Sequence, residues 1–244
     1  MYKKLWKTLV MVGLVALTLG SLPALAEDDS LSISADVGVA SQYVWRGYPL
    51  SDGGESIVIQ PAVTLAYGGF GLNVWGNFDT DYFGTGTDYN ETDFTLSYDW
   101  SYEIISMGVG YIYYDLDVED TQEFYFSASI EGYLNPRITA YRDIDSFKGW
   151  YFNIGFSHSY AVTDLYALDL SASIGYYDLD DNSYSELHDG TLSASMTLPI
   201  NDNLSMTPYF SYIIGLSGAS RAEIEDYKGH SDHFVGGVTC SYSF

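Results

Sequence analysis

Beyond residue 30, apolar residues fall on every second position for most of the chain. They do so in segments of about ten residues, which is strand spacing and the length a tilted strand needs to cross a bilayer. In 31–45, Ile33, Ala35, Val37, Val39, Tyr43 and Trp45 alternate with Ser32, Ser34, Asp36, Gly38 and Gln42. The segment 57–67 carries Ile57, Ile59, Val63, Leu65 and Tyr67, and after Gly68-Gly69 the phase passes to Phe70, Leu72, Val74 and Phe78. Segments 92–100, 104–114, 124–130, 138–141, 150–156, 168–176, 192–198, 204–214 and 234–244 repeat the theme, 138–141 most weakly. No stretch after the first 26 residues carries a helical apolar stripe. The expected fold is all-β: a transmembrane antiparallel up-and-down β-barrel of about 12 strands.

A soluble β-sandwich also alternates, so three features discriminate. The polar positions are Ser, Gly, Thr, Asn and Asp, with little of the Lys/Glu mixture of a water-facing sheet. Connections alternate in length: 46–55, 79–91, 115–122, 143–149, 178–190 and 215–232 read as long extracellular loops, and those between them as short periplasmic turns. Aromatic residues mark both ends of the apolar face. Tyr43, Trp45, Tyr113, Trp150, Tyr176 and Tyr212 lie toward the loops, and Tyr67, Phe70 and Trp100 toward the turns, the expected interfacial girdles.

Residues 1–26 read as a cleaved signal peptide, with Lys3, Lys4 and Lys7 ahead of an apolar run from Leu9 to Leu19 and Ala24-Leu25-Ala26 at the cleavage site. The barrel domain is then 27–244. Three of the nine Lys+Arg and none of the 33 Asp+Glu lie in the leader, so six cations face 33 carboxylates, a net charge of −27. Nucleic acid is excluded as a partner, because no basic patch exists to neutralise phosphate. One cysteine, Cys240, permits no intramolecular disulfide.

The last segment, ending in Phe244, resembles the C-terminal signature strand of bacterial outer-membrane proteins. The resemblance implies that the outer-membrane assembly machinery recognises this strand, with Val238, Cys240, Tyr242 and Phe244 on its outward face. Pairing with 31–45 would close the barrel. Near the other end, Ser41-x-Tyr43-x-Trp45-Arg46-Gly47, a polar loop, an apolar strand and a Gly-Gly hairpin into Phe70-Gly71-Leu72 resemble the opening of the TorF-type porin family. That resemblance covers the first third well and the rest only in pattern and length. It implies an outer-membrane barrel, bathed by outer-membrane lipids and lipopolysaccharide, that passes small solutes; it carries no catalytic or ligand residues.

Pore-lining candidates follow from the polar phase: Asp36, Asp93, Asp99, Glu131, Asp143 and Asp169, against the cations Arg46 and Arg137. Such a lumen attracts cations and repels anions. The same residues could instead pair into a salt-bridge plug, leaving a non-conducting structural barrel that displays its loops. No cofactor or metal is expected. Asp79-x-Asp81 begins like a calcium loop, but Phe83 and Asn90 stand where ligands are required. His230 and His233 have opposite strand phases. A lipid-modifying barrel enzyme would need a nucleophile beside an outward histidine. His188 has the outward phase with no outward serine at its height, so no catalytic residue is assigned.

Overall fold

The computed structural model describes residues 30–51, 56–84, 86–117, 119–163, 165–181, 183–226 and 228–244; the leader 1–26 lies outside them. Alternating sequence becomes alternating exposure in twelve long antiparallel strands. These are β1 (Ser32–Ala40), β2 (Val58–Tyr67), β3 (Phe70–Asp79), β4 (Asp88–Tyr102), β5 (Ile105–Leu116) and β6 (Thr121–Ile130). The second half contributes β7 (Arg137–Asp143), β8 (Gly149–Ala161), β9 (Ala167–Leu179), β10 (Ser185–Met196), β11 (Leu204–Gly215) and β12 (Asp232–Ser243). Each strand pairs with its chain neighbours, and β1 also pairs with β12, placing Val37 opposite Cys240 and Asp36 opposite Ser241. The sheet therefore closes on itself and leaves no edge.

The phase agrees with the sequence reading. Val63, Leu65, Leu72, Phe94, Leu96, Phe126, Ile154 and Leu192 are exposed on the outer surface, while Thr95, Ser97, Ser127, Thr139, Ser195, Thr207 and Ser211 are buried on the inner one. Outside, Cys240, Tyr242 and Phe244 are exposed, and the Phe244 amide donates to the carbonyl of Ile33 across the closing seam.

Three features differ from expectation. Strands run further into the loops than the apolar pattern shows: β4 begins at Asp88 and β10 at Ser185, because polar residues keep pairing once the wall has left the hydrocarbon. The connection 117–120 is consequently shorter than the turn 131–136, and the strict long/short alternation weakens. The second difference is a β-bulge in β10, where His188 and Asp189 together face Gly175. The extra residue resets the phase, so both side chains turn inward and are buried, at 0% and 2% exposure.

The third difference concerns the first loop. The wall of β1 ends at Ala40, and the chain turns into the lumen as a hairpin, with Val44-Trp45 paired to Tyr48-Pro49 around Arg46-Gly47. Positive φ at both Arg46 (47°) and Gly47 (88°) is the geometry of a two-residue type I′ turn. Tyr43 and Trp45 therefore leave the girdle assigned to them. Tyr43 is 5% exposed beside Trp75, and Trp45 packs edge-on against the inward Tyr114. Tyr67, Phe70, Trp100, Trp150 and Tyr212 are exposed outside. Tyr113 and Tyr176 stand on the same outer face, against Phe94 and Phe152. In vesicles of brominated lipid, fluorescence from a variant retaining Trp150 alone should be quenched, and from one retaining Trp45 alone it should not. Equal quenching would return Trp45 to the lipid face.

Candidate functional site: the lumen and its infolded hairpin

Half of the loop-side lumen is lined by tyrosine. Tyr114, Tyr125, Tyr141, Tyr151 and Tyr177 lie on the five consecutive strands β5 to β9, buried and in mutual contact with Ile112 and Tyr184. Small residues on adjacent strands make room. A Cβ on Gly110 would meet the Tyr125 ring at 2.3 Å, and one on Gly175 would meet the Tyr151 hydroxyl at 2.4 Å.

Arg46 reaches this wall from the hairpin tip. Its Nη1 and Nη2 donate to Oε1 and Oε2 of Glu123, each at 2.7 Å, with side chains 6% and 2% exposed. The guanidinium carbon lies 4.3 Å from the ring centre of Trp45, 4.2 Å from Tyr141 and 4.5 Å from Tyr151. Tyr114 donates to Glu123 Oε2 at 2.8 Å, and Tyr151 donates to Asp189 Oδ1 at 2.8 Å. A planar fork meeting a carboxylate edge-on and aromatic faces broadside is the geometry Arg provides and Lys does not. Gly47 then passes close to Asp189 and Ile224, where a Cβ would lie 3.1 Å from Asp189 Cβ and 3.2 Å from Ile224. Tyr48 lies over His188, which shares a 2.7 Å hydrogen bond with Tyr184 through Nδ1.

The base of the hairpin is held on the other side. Gln42 donates to the carbonyl of Phe234, Ser41 and Gly236 exchange two hydrogen bonds, and Tyr43 packs with Val58, Ile213 and Val235. A short helix, α1 (Gly218–Glu223), lies against β10 and β11. The fully buried Ile224 follows it, its carbonyl accepting from His233 Nε2 at 2.9 Å. The hairpin and this segment both pack inside the loop-side lumen.

Of the acidic candidates, Asp36, Asp93, Asp99, Asp143 and Asp169 have the inward phase. Asp36 stands opposite Ser241, Asp99 is beside Ser97 and Arg137, and Asp169 accepts from Ser159. Asp143 instead ties its own loop, accepting from Thr121 Oγ1 at 2.6 Å and from the amides of Asp145 and Phe147. Glu131 is exposed at the turn end, beyond the strands. Asp93 is buried behind the hairpin with Oδ1 unpartnered, beside Glu91, to which Tyr43 donates at 3.3 Å. Glu91 and Glu123 escaped the sequence reading because one fell at the edge of an assigned loop and the other just after one. Tyr114, Tyr125, Tyr151 and Tyr177 escaped it because each adjoins an outward aromatic, as in Tyr113-Tyr114, Trp150-Tyr151 and Tyr176-Tyr177, while Tyr141 ends the segment in which the alternation is weakest.

The acidic loops bind themselves. Arg142 donates to both oxygens of Asp180, which holds that carboxyl below its ordinary range, and the Tyr113 hydroxyl and Leu116 amide do the same for Asp120. Asp79 and Asp81 accept loop amides from Asp81 and Gly86. His188, inward and enclosed, offers nothing to a lipid substrate.

No protein-family model and no curated protein matches the chain. Among solved structures it is similar to a KdgM porin, at 12% identity and TM-score 0.57, over 86% of this chain and 99% of that one. A KdgM porin in complex with disordered oligogalacturonate matches with TM-score 0.55 at 13% identity, over 87% of this chain and 99% of that one. The NanC porin matches with TM-score 0.57 at 8% identity, over 86% and 98%. An outer-membrane channel from Pseudomonas putida F1 gives 0.56 at 9%, over 93% and 100%. The chain thus has the twelve-stranded barrel fold of outer-membrane porins and channels.

Removing one partner of a buried ion pair strands the other, at a cost of about 3–5 kcal/mol. Urea unfolding of E123A should show a loss of that order. R46M/E123L, which removes both charges, should lose much less. Equal losses would mean that the pair is not buried as described.

Proposed function

We propose that this chain is exported through its cleaved leader to the outer membrane. There it acts as a passive, cation-preferring channel for small hydrophilic solutes, a porin of the TorF type and not an enzyme. The observation that carries this reading is the charge of the inner wall: Asp36, Asp99 and Asp169 face the lumen beyond the hairpin, with Arg137 beside Asp99. Low-dielectric walls focus that field, so cations concentrate and anions are repelled. A KdgM porin has been solved with oligogalacturonate, a polyanion. Such a solute would meet like charge here, so the shared barrel form is read with a different cargo. Outer-membrane lipids and lipopolysaccharide are the surroundings of the apolar surface, and the assembly machinery is the partner of the strand ending at Phe244.

The infolded hairpin favours a second reading, a barrel closed at rest that serves as a structural scaffold for its loops. Bilayer recordings across a KCl gradient separate the two. The channel reading expects discrete steps with a cation-selective reversal potential, shifted toward zero by D99N and D169N. Persistent silence from folded, inserted protein would support the closed scaffold.

A further inference from the structure

The pocket around the Arg46 guanidinium is built almost wholly by the barrel wall. Glu123 lies on β6, Tyr114 on β5, Tyr141 on β7, Tyr151 on β8 and Tyr177 on β9. These groups fix one another without the hairpin: Tyr114 holds Glu123, Asp189 holds Tyr151, and the rings of Tyr125, Tyr141, Tyr151 and Tyr177 stand in series with centres 5.2 to 6.1 Å apart. Trp45, Arg46 and Tyr48 come from the hairpin, which carries Arg46 in a left-handed conformation uncommon for a large side chain. A receptor of five consecutive strands, filled by a side chain on a separate element, is a binding site with a tethered occupant.

We propose that this wall is a recognition site for guanidinium-bearing solutes, and that Arg46 occupies it as an internal mimic which such a solute replaces when the hairpin withdraws. The carboxylate edge of Glu123 presents two acceptors to a planar fork, and Tyr141 and Tyr151 present ring faces to the same plane. A compact ammonium can use one acceptor and one ring but cannot span both, which sets the preference within the class. Buried nearby, Asp93 stands beside Glu91 with its Oδ1 unpartnered. The site is a matter of binding alone; its use in selecting solutes rests on the channel reading above.

The test uses the full-length barrel carrying R46A, with R46A/E123Q as its control, and compares methylguanidinium, methylammonium and sodium chlorides at equal ionic strength. Methylguanidinium should raise the thermal midpoint of R46A saturably toward that of the unchanged protein. It should leave R46A/E123Q in place, and methylammonium should move neither. If R46A folds poorly alone, its refolding yield becomes the readout, with recovery expected in methylguanidinium and not in sodium. Equal responses from the two variants, or none from R46A, would overturn the site. Conductance is read separately. A methylguanidinium block of R46A currents would tie the site to permeation, whereas saturable binding to a silent barrel would leave the site standing and overturn the channel.

Discussion

A buried ion pair across the lumen is the interaction on which the interior depends. Taking Arg46 and Glu123 out of water costs several kcal/mol per ion, and only near-ideal geometry offsets it. The bidentate contact, the second hydrogen bond to Glu123 from Tyr114 and the flanking rings supply that geometry. The hairpin must enter deeply enough to deliver the guanidinium, the facing strands must carry tyrosine to receive it, and glycines such as Gly110 must lie where those rings settle. The β10 bulge belongs to the same arrangement, since it turns Asp189 inward to hold Tyr151 and places His188 beneath Tyr48.

The lumen therefore has two chemically different halves. Toward the loops it is packed with aromatic rings, the hairpin and the segment around Ile224, a core in the ordinary sense. Toward the turns the inner wall is mainly Ser, Thr and Asp, with Arg137 among them. Any conduction is then decided in the loop-side half, while the carboxylates of the other half set which ions accumulate behind it.

The sequence shows the wall clearly and the plug poorly. Period two reports which face a residue takes, and it placed Leu96, Phe126, Leu192 and Tyr242 outside and Asp99 and Asp169 inside, as the structure does. The same rule cannot report whether the chain still belongs to the wall. Tyr43 and Trp45 keep the alternation after β1 has ended at Ala40, so they read as girdle residues while standing inside. A one-residue bulge is equally silent, which is why His188 appears outward by counting. Two local signals were present: Arg46-Gly47 between Trp45 and Tyr48 fits a two-residue hairpin, and paired aromatics such as Trp150-Tyr151 must send one ring each way. What no local pattern contains is the meeting of Arg46 with Glu123, separated by 77 positions.

The most direct test of this account is a dipolar-recoupling NMR distance between the Arg46 guanidinium nitrogens and the Glu123 carboxyl carbon, in selectively labelled protein reconstituted in lipid. The account predicts direct contact, consistent with nitrogen–oxygen distances of 2.7 Å. A separation wide enough to admit a water between the two groups would contradict it.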